Sequence, residues 1–326
     1  MRFLCSHCES VIDSGEEVAF GLPIECPNCE QATLFPASRY ALGVILDDFL
    51  IVEPMGEGKL YTLHHAHQLS LGRDVALKIF KRELLGTQRY VDQFLNEARC
   101  LARLNHPNVV HSYAVSQDAE AIFSAIELVE GRTLQKILVE EGDLPYYHAV
   151  FIMQKLADAL DHIWYDHGMV HRDIKPGNFI WTDQGEVKLD GFRFSARAED
   201  LIPGDEIVGS PPYLSPEIVL GAPVDVRSDL YSLGASFYHC MTGTLPFMAN
   251  TPQEVAFMHI DAPLTPPDHI NSQIPVSVSA VIQKLMAKNP EDRYQDPREL
   301  SDALSDVLES LEGEDADGMD SETLDP

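Results

Sequence analysis

The sequence lacks any run of about eighteen apolar residues, and it is poor in basic side chains. Without such a run, no segment predicts a transmembrane helix, and the first residues, Met1 to Ser6, are not typical of a secretory signal. Lys and Arg number 23 against 52 Asp and Glu, which gives a formal net charge of -29. Such a charge repels nucleic acid and anionic membrane surfaces. We therefore expect a cytoplasmic protein that binds neither and whose protein partners are basic.

Composition and motif positions divide the chain into four parts. Its 326 residues, of which 45% are apolar, can bury a core large enough for two lobes with appendages. We assign residues 1–36 to a small cysteine-containing module, 37–47 to a linker, 48–308 to the main domain and 309–326 to a tail. The tail contains eight acidic residues and no Lys or Arg, which predicts disorder.

Four of the six cysteines form two Cys-x-x-Cys pairs, Cys5 with Cys8 and Cys26 with Cys29. Each short turn directs two thiolates toward one point, and two such turns suit a tetrahedral Zn²⁺ ion. Residues 1–36 thus resemble a zinc ribbon with these four cysteines as ligands. Two disulfides, which a reducing compartment disfavours, and a redox-active pair are the alternatives.

The charge of this ribbon-like module indicates what it binds. It contains six acidic residues and a single basic one, Arg2, so it would repel a phosphate backbone. We therefore expect the module to dock on a protein. We also expect removal of zinc to unfold the module and to leave the rest of the chain folded.

A glycine-containing turn and a lysine at the end of a strand follow the linker. After the apolar run Phe49–Val52 comes Gly56-Glu57-Gly58-Lys59-Leu60-Tyr61, and glycines in such a turn let backbone amides approach phosphate oxygens. The turn alone is a weak signal. The short apolar strand Val75-Ala76-Leu77-Lys78 ends in a lysine, which by itself would be read as an exposed charge.

A helix is predicted after this strand, and it carries Glu97, nineteen residues after Lys78. Apolar residues at helical spacing indicate that one face of 94–104 packs inward and that Glu97 lies beside this face. These apolar residues are Phe94, Ala98, Leu101 and Leu104. A single glutamate on a helix is more often a solvated charge, so the assignment of Glu97 depends on Lys78.

The longest diagnostic run is Val170-His171-Arg172-Asp173-Ile174-Lys175-Pro176-Gly177-Asn178. It is similar at every diagnostic position to the catalytic loop of protein kinases, and a lysine two residues after the aspartate marks the Ser/Thr type. With the preceding motifs, it makes residues 48–308 resemble the eukaryotic-like Ser/Thr protein kinase family of bacteria. The resemblance implies an α+β, bilobal fold with a β-rich N-lobe and a helical C-lobe. It also implies transfer of the γ-phosphoryl group of ATP to protein Ser or Thr hydroxyls.

The resemblance gives the motif residues their expected roles. Asp173 would accept or orient the substrate hydroxyl proton, and Lys175 would steady the transferring phosphoryl charge. Lys78, oriented by Glu97, would hold the α- and β-phosphates. The residues expected to bind the nucleotide are Gly56, Gly58, Ala76, Lys78, Glu127, Val129, Asn178 and Asp190. Mg²⁺, or Mn²⁺, would be held by Asn178 and Asp190.

One triplet departs from the family pattern. The metal-binding aspartate of Asp-Phe-Gly stands thirteen residues after the loop asparagine, and here that count reaches Gly191, followed by Phe192 and Arg193. Asp190 is one residue early, and strand alternation would direct it to the opposite face. A bulge at Gly191 would let it turn inward. Without this carboxylate, we expect a rate loss on the order of a hundredfold to ten-thousandfold.

Three functions are compatible with this triplet. We favour an active Ser/Thr protein kinase that uses the displaced Asp190. The alternative is a pseudokinase that acts as a signalling scaffold through its zinc ribbon. A kinase-fold enzyme for small molecules is disfavoured, because the full activation segment suits a protein substrate.

The sequence downstream of the triplet resumes the resemblance. Glu217, at the end of the activation segment, would pair with Arg293, and Asp229 would hold the backbone of the catalytic loop. In the family that the chain resembles, the arginine at this position binds a phosphate on the activation loop. Here Asp205 and Glu206 are candidate partners of Arg172 in place of that phosphate, and the alternative is that both are ordinary exposed acids.

Overall fold

The computed structural model describes residues 1–14, 19–117, 121–204 and 207–319. The chain folds into two compact units, one formed by Met1–Ala98 and His111–Val129, the other by Arg99–Val110 and Glu130–Pro326. The first is rich in strands and the second in helices, which agrees with the α+β fold that the sequence predicts. Within the described part of the chain, no helix combines the length and the apolar character needed to cross a membrane.

An eight-stranded antiparallel sheet forms most of the first unit, in the order β2-β1-β5-β6-β7-β8-β10-β9. A separate hairpin, β3–β4, carries the second pair of cysteines at its turn. The strands are β1 (Arg2–Leu4), β2 (Val11–Asp13), β3 (Pro23–Glu25), β4 (Ala32–Leu34), β5 (Val44–Leu46), β6 (Phe49–Glu57), β7 (Tyr61–Gln68), β8 (Arg73–Phe80), β9 (Ser112–Gln117) and β10 (Ile122–Glu127).

The ribbon-like segment is continuous with this sheet. Strand β1 pairs with β5, with Phe3 opposite Val44, and β5 pairs in turn with β6. Strand β5 lies inside the segment 37–47, which we assigned to a linker. Its three apolar residues, Val44 to Leu46, form a strand because they pair with β1 on one side and β6 on the other. Phe3 and Phe35 belong to one buried cluster with Phe49 and Leu77. We expected residues 1–36 to unfold alone. In the structure, their sheet and their buried cluster both continue beyond residue 36.

Helix α1 (Gln88–Leu101) begins in the first unit and has the apolar face that its sequence predicts. Phe94 and Leu95 pack in a cluster with Leu60 and Phe80, and Ala98 is buried as well. Leu101 and Leu104 are also buried, so the predicted inward face of 94–104 is confirmed. This packing fixes the side of the helix from which Glu97 projects.

The second unit is built around two long helices and small sheets. Helices α3 and α5 are lined by buried residues, including Met153, Ala157, Leu160, Leu233 and Phe237. The helices are α2 (Leu134–Glu141), α3 (Tyr146–His167), α4 (Pro216–Leu220), α5 (Val226–Thr242), α6 (Pro252–Asp261), α7 (Pro267–Ile270), α8 (Val276–Leu285) and α9 (Pro297–Met319). The strands are β11 (Gly131–Thr133), β12 (Met169–Val170), β13 (Phe179–Thr182), β14 (Val187–Leu189) and β15 (Ala196–Arg197).

The last helix, α9, begins with two reciprocal hydrogen bonds between side chains and backbone amides. The Asp296 carboxylate accepts the Glu299 amide at 2.9 Å, and Glu299 in turn accepts the Gln295 amide at 2.7 Å. The first bond satisfies an amide of the first helical turn that has no intrahelical partner, and the second ties the residue before the helix to this turn. The helix continues to Met319 and so includes part of the 309–326 tail for which disorder was expected. Residues 320–326 lie outside the described part of the chain.

Candidate functional site

Lys78 and Glu97 form a buried ion pair in the first unit. Lys78 lies on β8 between Leu63 of β7 and Ser124 of β10, and Glu97 projects from α1. The Lys78 ammonium is 2.5 Å from Glu97 Oε1, and the two residues are only 3% and 8% exposed. Lys78 and Glu97 are therefore not solvated charges. Burial of either charge would be costly without the other, and the pairing offsets this cost.

The glycine-containing turn joins β6 to β7 close to this pair. Register shifts interrupt the β6–β7 ladder between Ile51 and Glu53 and again between Pro54 and Gly56. A Cβ at Gly58 would be 3.0 Å from the Tyr61 ring, and Lys78 Nζ lies 5.2 Å from the centroid of that ring. Tyr61, the last residue of this turn, thus lies over the Lys78 ammonium.

The remaining predicted nucleotide-binding residues of this unit lie on the same sheet or directly after it. Ala76 is buried on β8, one position from Leu77. The Glu127 amide donates to the His111 carbonyl at 2.8 Å, and the Glu127 carboxylate accepts the His111 amide at 3.1 Å. Val129 follows β10. Their roles stay predictions.

In the second unit, Asp229 of α5 fixes the backbone of the catalytic loop. Its carboxylate accepts the His171 amide at 2.7 Å and the Arg172 amide at 2.9 Å. Arg172 has φ +64°, a strained conformation for a residue with a side chain, and these bonds stabilise it. Burial raises the pKa of Asp229 to about 7, although both amides oppose the shift. The predicted contact of Asp229 with this backbone is confirmed.

Asp173 stands at the centre of a charged hydrogen-bond network. Lys175 Nζ donates to its two oxygens at 3.1 and 2.9 Å, and Ser210 Oγ donates to Oδ1 at 2.9 Å. Asn178 Nδ2 donates to the Asp173 carbonyl at 2.7 Å. Asp173 is 4% exposed, so its carboxylate is held almost entirely by protein groups. The structure thus brings together the three loop residues that the sequence singled out.

The departing triplet has an unusual backbone. Gly191 has φ +90°, and a Cβ there would clash with the Asn178 side-chain amide. Only glycine fits this position without displacement of Asn178. The Asp190 amide donates to the Asn178 carbonyl, and the Asp190 carbonyl accepts from His171 Nε2. These bonds fix the Asp190 backbone next to the loop, while its role as a metal ligand stays a prediction.

Two residues that the sequence analysis did not place in the site also contact Asp173. Ser210 belongs to the Gly209-Ser210-Pro211 run at the end of the activation segment, and only its hydroxyl hinted at a role. Arg193 Nη2 lies 3.2 Å from Asp173 Oδ2. A cation where the family pattern has glycine was the available signal for Arg193.

The oxygen donors of the catalytic loop suit Mg²⁺ only in part. The Asn178 amide oxygen and carboxylate oxygens are ligands that Mg²⁺ accepts. The position thirteen residues after Asn178 is glycine, so the donor set has one carboxylate fewer than the family pattern unless Asp190 replaces it.

The four cysteine thiols converge in the first unit. Their sulfur atoms all lie within 4.8 Å of one another. The Cys5–Cys29 and Cys8–Cys26 sulfur separations are both 3.8 Å. A tetrahedron with Zn–S bonds of about 2.3 Å has sulfur–sulfur edges of about 3.8 Å, so the geometry fits Zn²⁺. All four are free thiols rather than disulfides. Hydrogen bonds from Ser10 lower the pKa of Cys8 to about 6, whereas the pKa of Cys29 is raised to about 12, because the lowering by the Gln31 amide is outweighed by burial and the neighbouring thiols. The support for Zn²⁺ is therefore the geometry of the four sulfur atoms.

Glu217 and Arg293 form the ion pair that the sequence predicts. Arg293 donates to both Glu217 oxygens, at 2.7 and 2.8 Å, and its guanidinium also donates to backbone carbonyls. Asp205 and Glu206, the proposed partners of Arg172, lie outside the described residues. Arg172 Nε donates to the Phe194 carbonyl at 2.7 Å.

Comparison with known proteins gives consistent results. A family model described as protein kinase domain matches residues 49–305. A protein named probable serine/threonine-protein kinase from Clostridium acetobutylicum is 34% identical over 277 residues, which cover 84% of this chain and 42% of the relative. Serine/threonine-protein kinase PknB of Mycobacterium leprae is 35% identical over 274 residues, covering 81% of this chain and 42% of the relative. Serine/threonine-protein kinase PknL of Mycobacterium tuberculosis is 31% identical over 265 residues, covering 81% and 66%. The chain thus spans less than half the length of the first two relatives.

Proposed function

Because the chain belongs to the protein kinase domain family, we propose that it is a Ser/Thr protein kinase that transfers the γ-phosphoryl group of ATP to protein hydroxyls. The observation that carries the proposal is the buried Asp173 carboxylate, to which both Lys175 and Ser210 donate hydrogen bonds. The buried pair of Lys78 and Glu97 supports it independently. The names of the relatives, serine/threonine-protein kinases, support the same reaction.

Each motif residue has a defined role in the proposed reaction. Asp173 accepts the proton of the attacking hydroxyl, or orients it, and Lys175 stabilises the charge on the transferring phosphoryl group. Asn178 and Asp190 would hold Mg²⁺ or Mn²⁺, which supplies positive charge to the phosphates when bound. Lys78 holds the α- and β-phosphates, with Glu97 restricting the position of its ammonium. Gly56, Gly58, Ala76, Glu127 and Val129 are proposed to contact the rest of the nucleotide.

The pseudokinase alternative rests on Gly191. This position carries no carboxylate, and the close approach of Asn178 leaves no room for one. A scaffold that binds nucleotide without transferring phosphate would tolerate that loss, whereas a kinase needs Asp190 or another group to compensate. The two functions differ in a single measurable step.

The experiment is transfer of labelled phosphate from ATP, with Mg²⁺ or Mn²⁺, to a basic protein substrate. Asp173→Asn removes the proposed base, Asp190→Asn removes the proposed metal ligand, and Asp183→Asn in the exposed β13–β14 turn is the matched control. We expect transfer by the wild type and by Asp183→Asn, and a loss of at least about a hundredfold in the other two. Wild-type transfer no greater than that of Asp173→Asn would establish the pseudokinase. Full activity in Asp190→Asn would remove only the metal-ligand role of Asp190.

We further propose Zn²⁺ at the four cysteines and a protein partner for the ribbon-like module. Protein substrates follow from the family, and the net charge of -29 supports basic ones. The same charge supports the prediction that neither nucleic acid nor a membrane surface is bound. A cytoplasmic location stays a prediction from the sequence.

A further inference from the structure

The backbone on both sides of Arg193 is fixed. Phe192 is fully buried, and its ring packs edge to face on His171 at 4.5 Å. The Phe194 carbonyl accepts from Arg172 Nε at 2.7 Å, and the Ser195 amide donates to the Phe192 carbonyl at 3.1 Å. A residue between two such anchors has little freedom in its Cα–Cβ direction.

The side chain of Arg193 is also restrained. Its guanidinium carbon lies 4.6 Å from the centroid of the Phe194 ring, a cation–π distance, and Nη2 donates to Asp173 Oδ2 at 3.2 Å. The planar guanidinium loses less freedom on binding than a lysine ammonium would, so its contact with the carboxylate is largely prepared by the fold.

The donors around the Asp173 carboxylate are divided between its two oxygens. Ser210 donates to Oδ1 at 2.9 Å, and Arg193 donates to Oδ2 at 3.2 Å, with a longer contact from Asn178 Nδ2 to Oδ2 at 3.4 Å. Lys175 donates to both oxygens. Lys175 is the residue proposed to turn to the phosphoryl group, and its flexible four-carbon stem permits that movement. When it does so, Ser210 still holds Oδ1, and Arg193 provides the shorter of the two remaining contacts to Oδ2, so rotation about the Cβ–Cγ bond stays restricted.

We propose that Arg193 is a positioning residue that keeps the Asp173 carboxylate oriented during phosphoryl transfer. The inference rests on the proposed function and assigns a role to the residue that stands where the family pattern has glycine. Arg193 acts through Asp173, so its loss should slow the chemical step and leave nucleotide affinity unchanged.

The test compares kcat and the KM for ATP in Arg193→Ala, Arg193→Lys and the matched control Arg197→Ala. Arg197 pairs with exposed Glu199 at 2.7 Å, four residues further along the same segment. We expect kcat of Arg193→Ala to fall by about tenfold to a hundredfold, with KM for ATP within about twofold of wild type. Arg193→Lys should recover part of this loss, and added methylguanidinium should restore part of the Arg193→Ala activity but none to Asp173→Asn. Arg197→Ala should behave as wild type.

A second readout does not depend on catalysis. The unfolding free energies of the wild type, Arg193→Ala, Asp173→Asn and the double variant form a double-mutant cycle. If the two side chains interact, the change in the double variant differs from the sum of the changes in the single variants. Additive effects, or kcat of Arg193→Ala equal to or above wild type, would overturn the inference and leave the proposed function intact. Wild-type transfer no greater than that of Asp173→Asn would instead remove the proposed function.

Discussion

Phe3 and Val44 are register partners in the antiparallel ladder between β1 and β5. Phe3 lies two residues before the first cysteine, and Val44 leads through β5 into the strand that precedes the glycine-containing turn. Cys5, Cys26 and Phe3 share a buried cluster with Phe49. The cysteine site and strands β5 to β8 are therefore parts of one packed structure, so loss of the proposed Zn²⁺ should destabilise this unit beyond residue 36.

Chelation of the metal, or Cys26→Ser, should lower the thermal midpoint of the first unit by about 5 °C or more. Each kcal/mol shifts the midpoint of a unit of this size by about 4–8 °C, and a structural zinc site contributes more than that. Zinc content by elemental analysis and hydrogen exchange of β5 to β8 would measure the effect, with Cys100→Ala as a control that keeps all four ligands. Exchange that rises only within residues 1–36 would show an independent module.

Glu97→Gln should destabilise the first unit by about 3 kcal/mol and reduce phosphate transfer. The substitution replaces the carboxylate that pairs with buried Lys78 by a neutral amide, and breaking a buried pair from one side costs about 3–5 kcal/mol. Urea denaturation provides the measurement.

The matched control is Glu57→Gln. Glu57 pairs with Lys81 at 3.3 Å, but its side chain is 71% exposed, so the change should cost less than about 1 kcal/mol. Equal costs for the two variants would mean that burial does not determine the strength of the Lys78–Glu97 pair.

Gly191→Ala should destabilise the second unit by more than Gly185→Ala does. Both glycines have positive φ, +90° and +84°, and each alanine therefore costs about 1–2 kcal/mol in backbone strain. A Cβ at Gly191 also meets the Asn178 amide, whereas nothing lies within 4 Å of one at Gly185. Gly191→Ala should thus add displacement of Asn178 and loss of phosphate transfer, measured by thermal unfolding and by the transfer assay. Identical stability and activity in both variants would show that Asn178 moves at no cost.

Some of these features can be predicted from the sequence, and others depend on contacts that no local pattern indicates. The buried face of α1 follows from local periodicity, and the Glu217–Arg293 pair follows from motifs that resemble the family. Strand β5 has only three residues, too few for periodicity, and its partner β1 lies about 40 residues away in the chain. The contact of Arg193 with Asp173 depends on the φ of Gly191 and on the turn that follows, neither of which a residue pattern encodes.

Mild acid should destabilise the second unit through its buried histidines. Burial lowers the pKa of His171 from 6.5 to about 4 and that of His259 from 6.5 to about 3. Both are therefore neutral in the folded protein at pH 5, whereas the unfolded chain binds a proton below about pH 6.5. The stabilisation is complete above pH 6.5 and is lost as the pH falls toward 4 for His171 and toward 3 for His259, by about 2 kcal/mol for each histidine at pH 5.

His259→Gln isolates one of these histidines. It removes a buried imidazole whose Nδ1 lies 2.9 Å from the Tyr231 hydroxyl, at a position where glutamine offers a similar polar group. The slope of unfolding free energy against pH between 5 and 6 should decrease by about one proton, because one fewer group protonates on unfolding. Asp229, whose pKa burial raises to about 7, binds a proton in the folded state over this range and opposes the slope, but it does so equally in wild type and variant, so the difference between them reports His259. His269→Gln, at an exposed position, should keep the wild-type slope. An unchanged slope in His259→Gln would mean that His259 is protonated in the folded protein despite its burial.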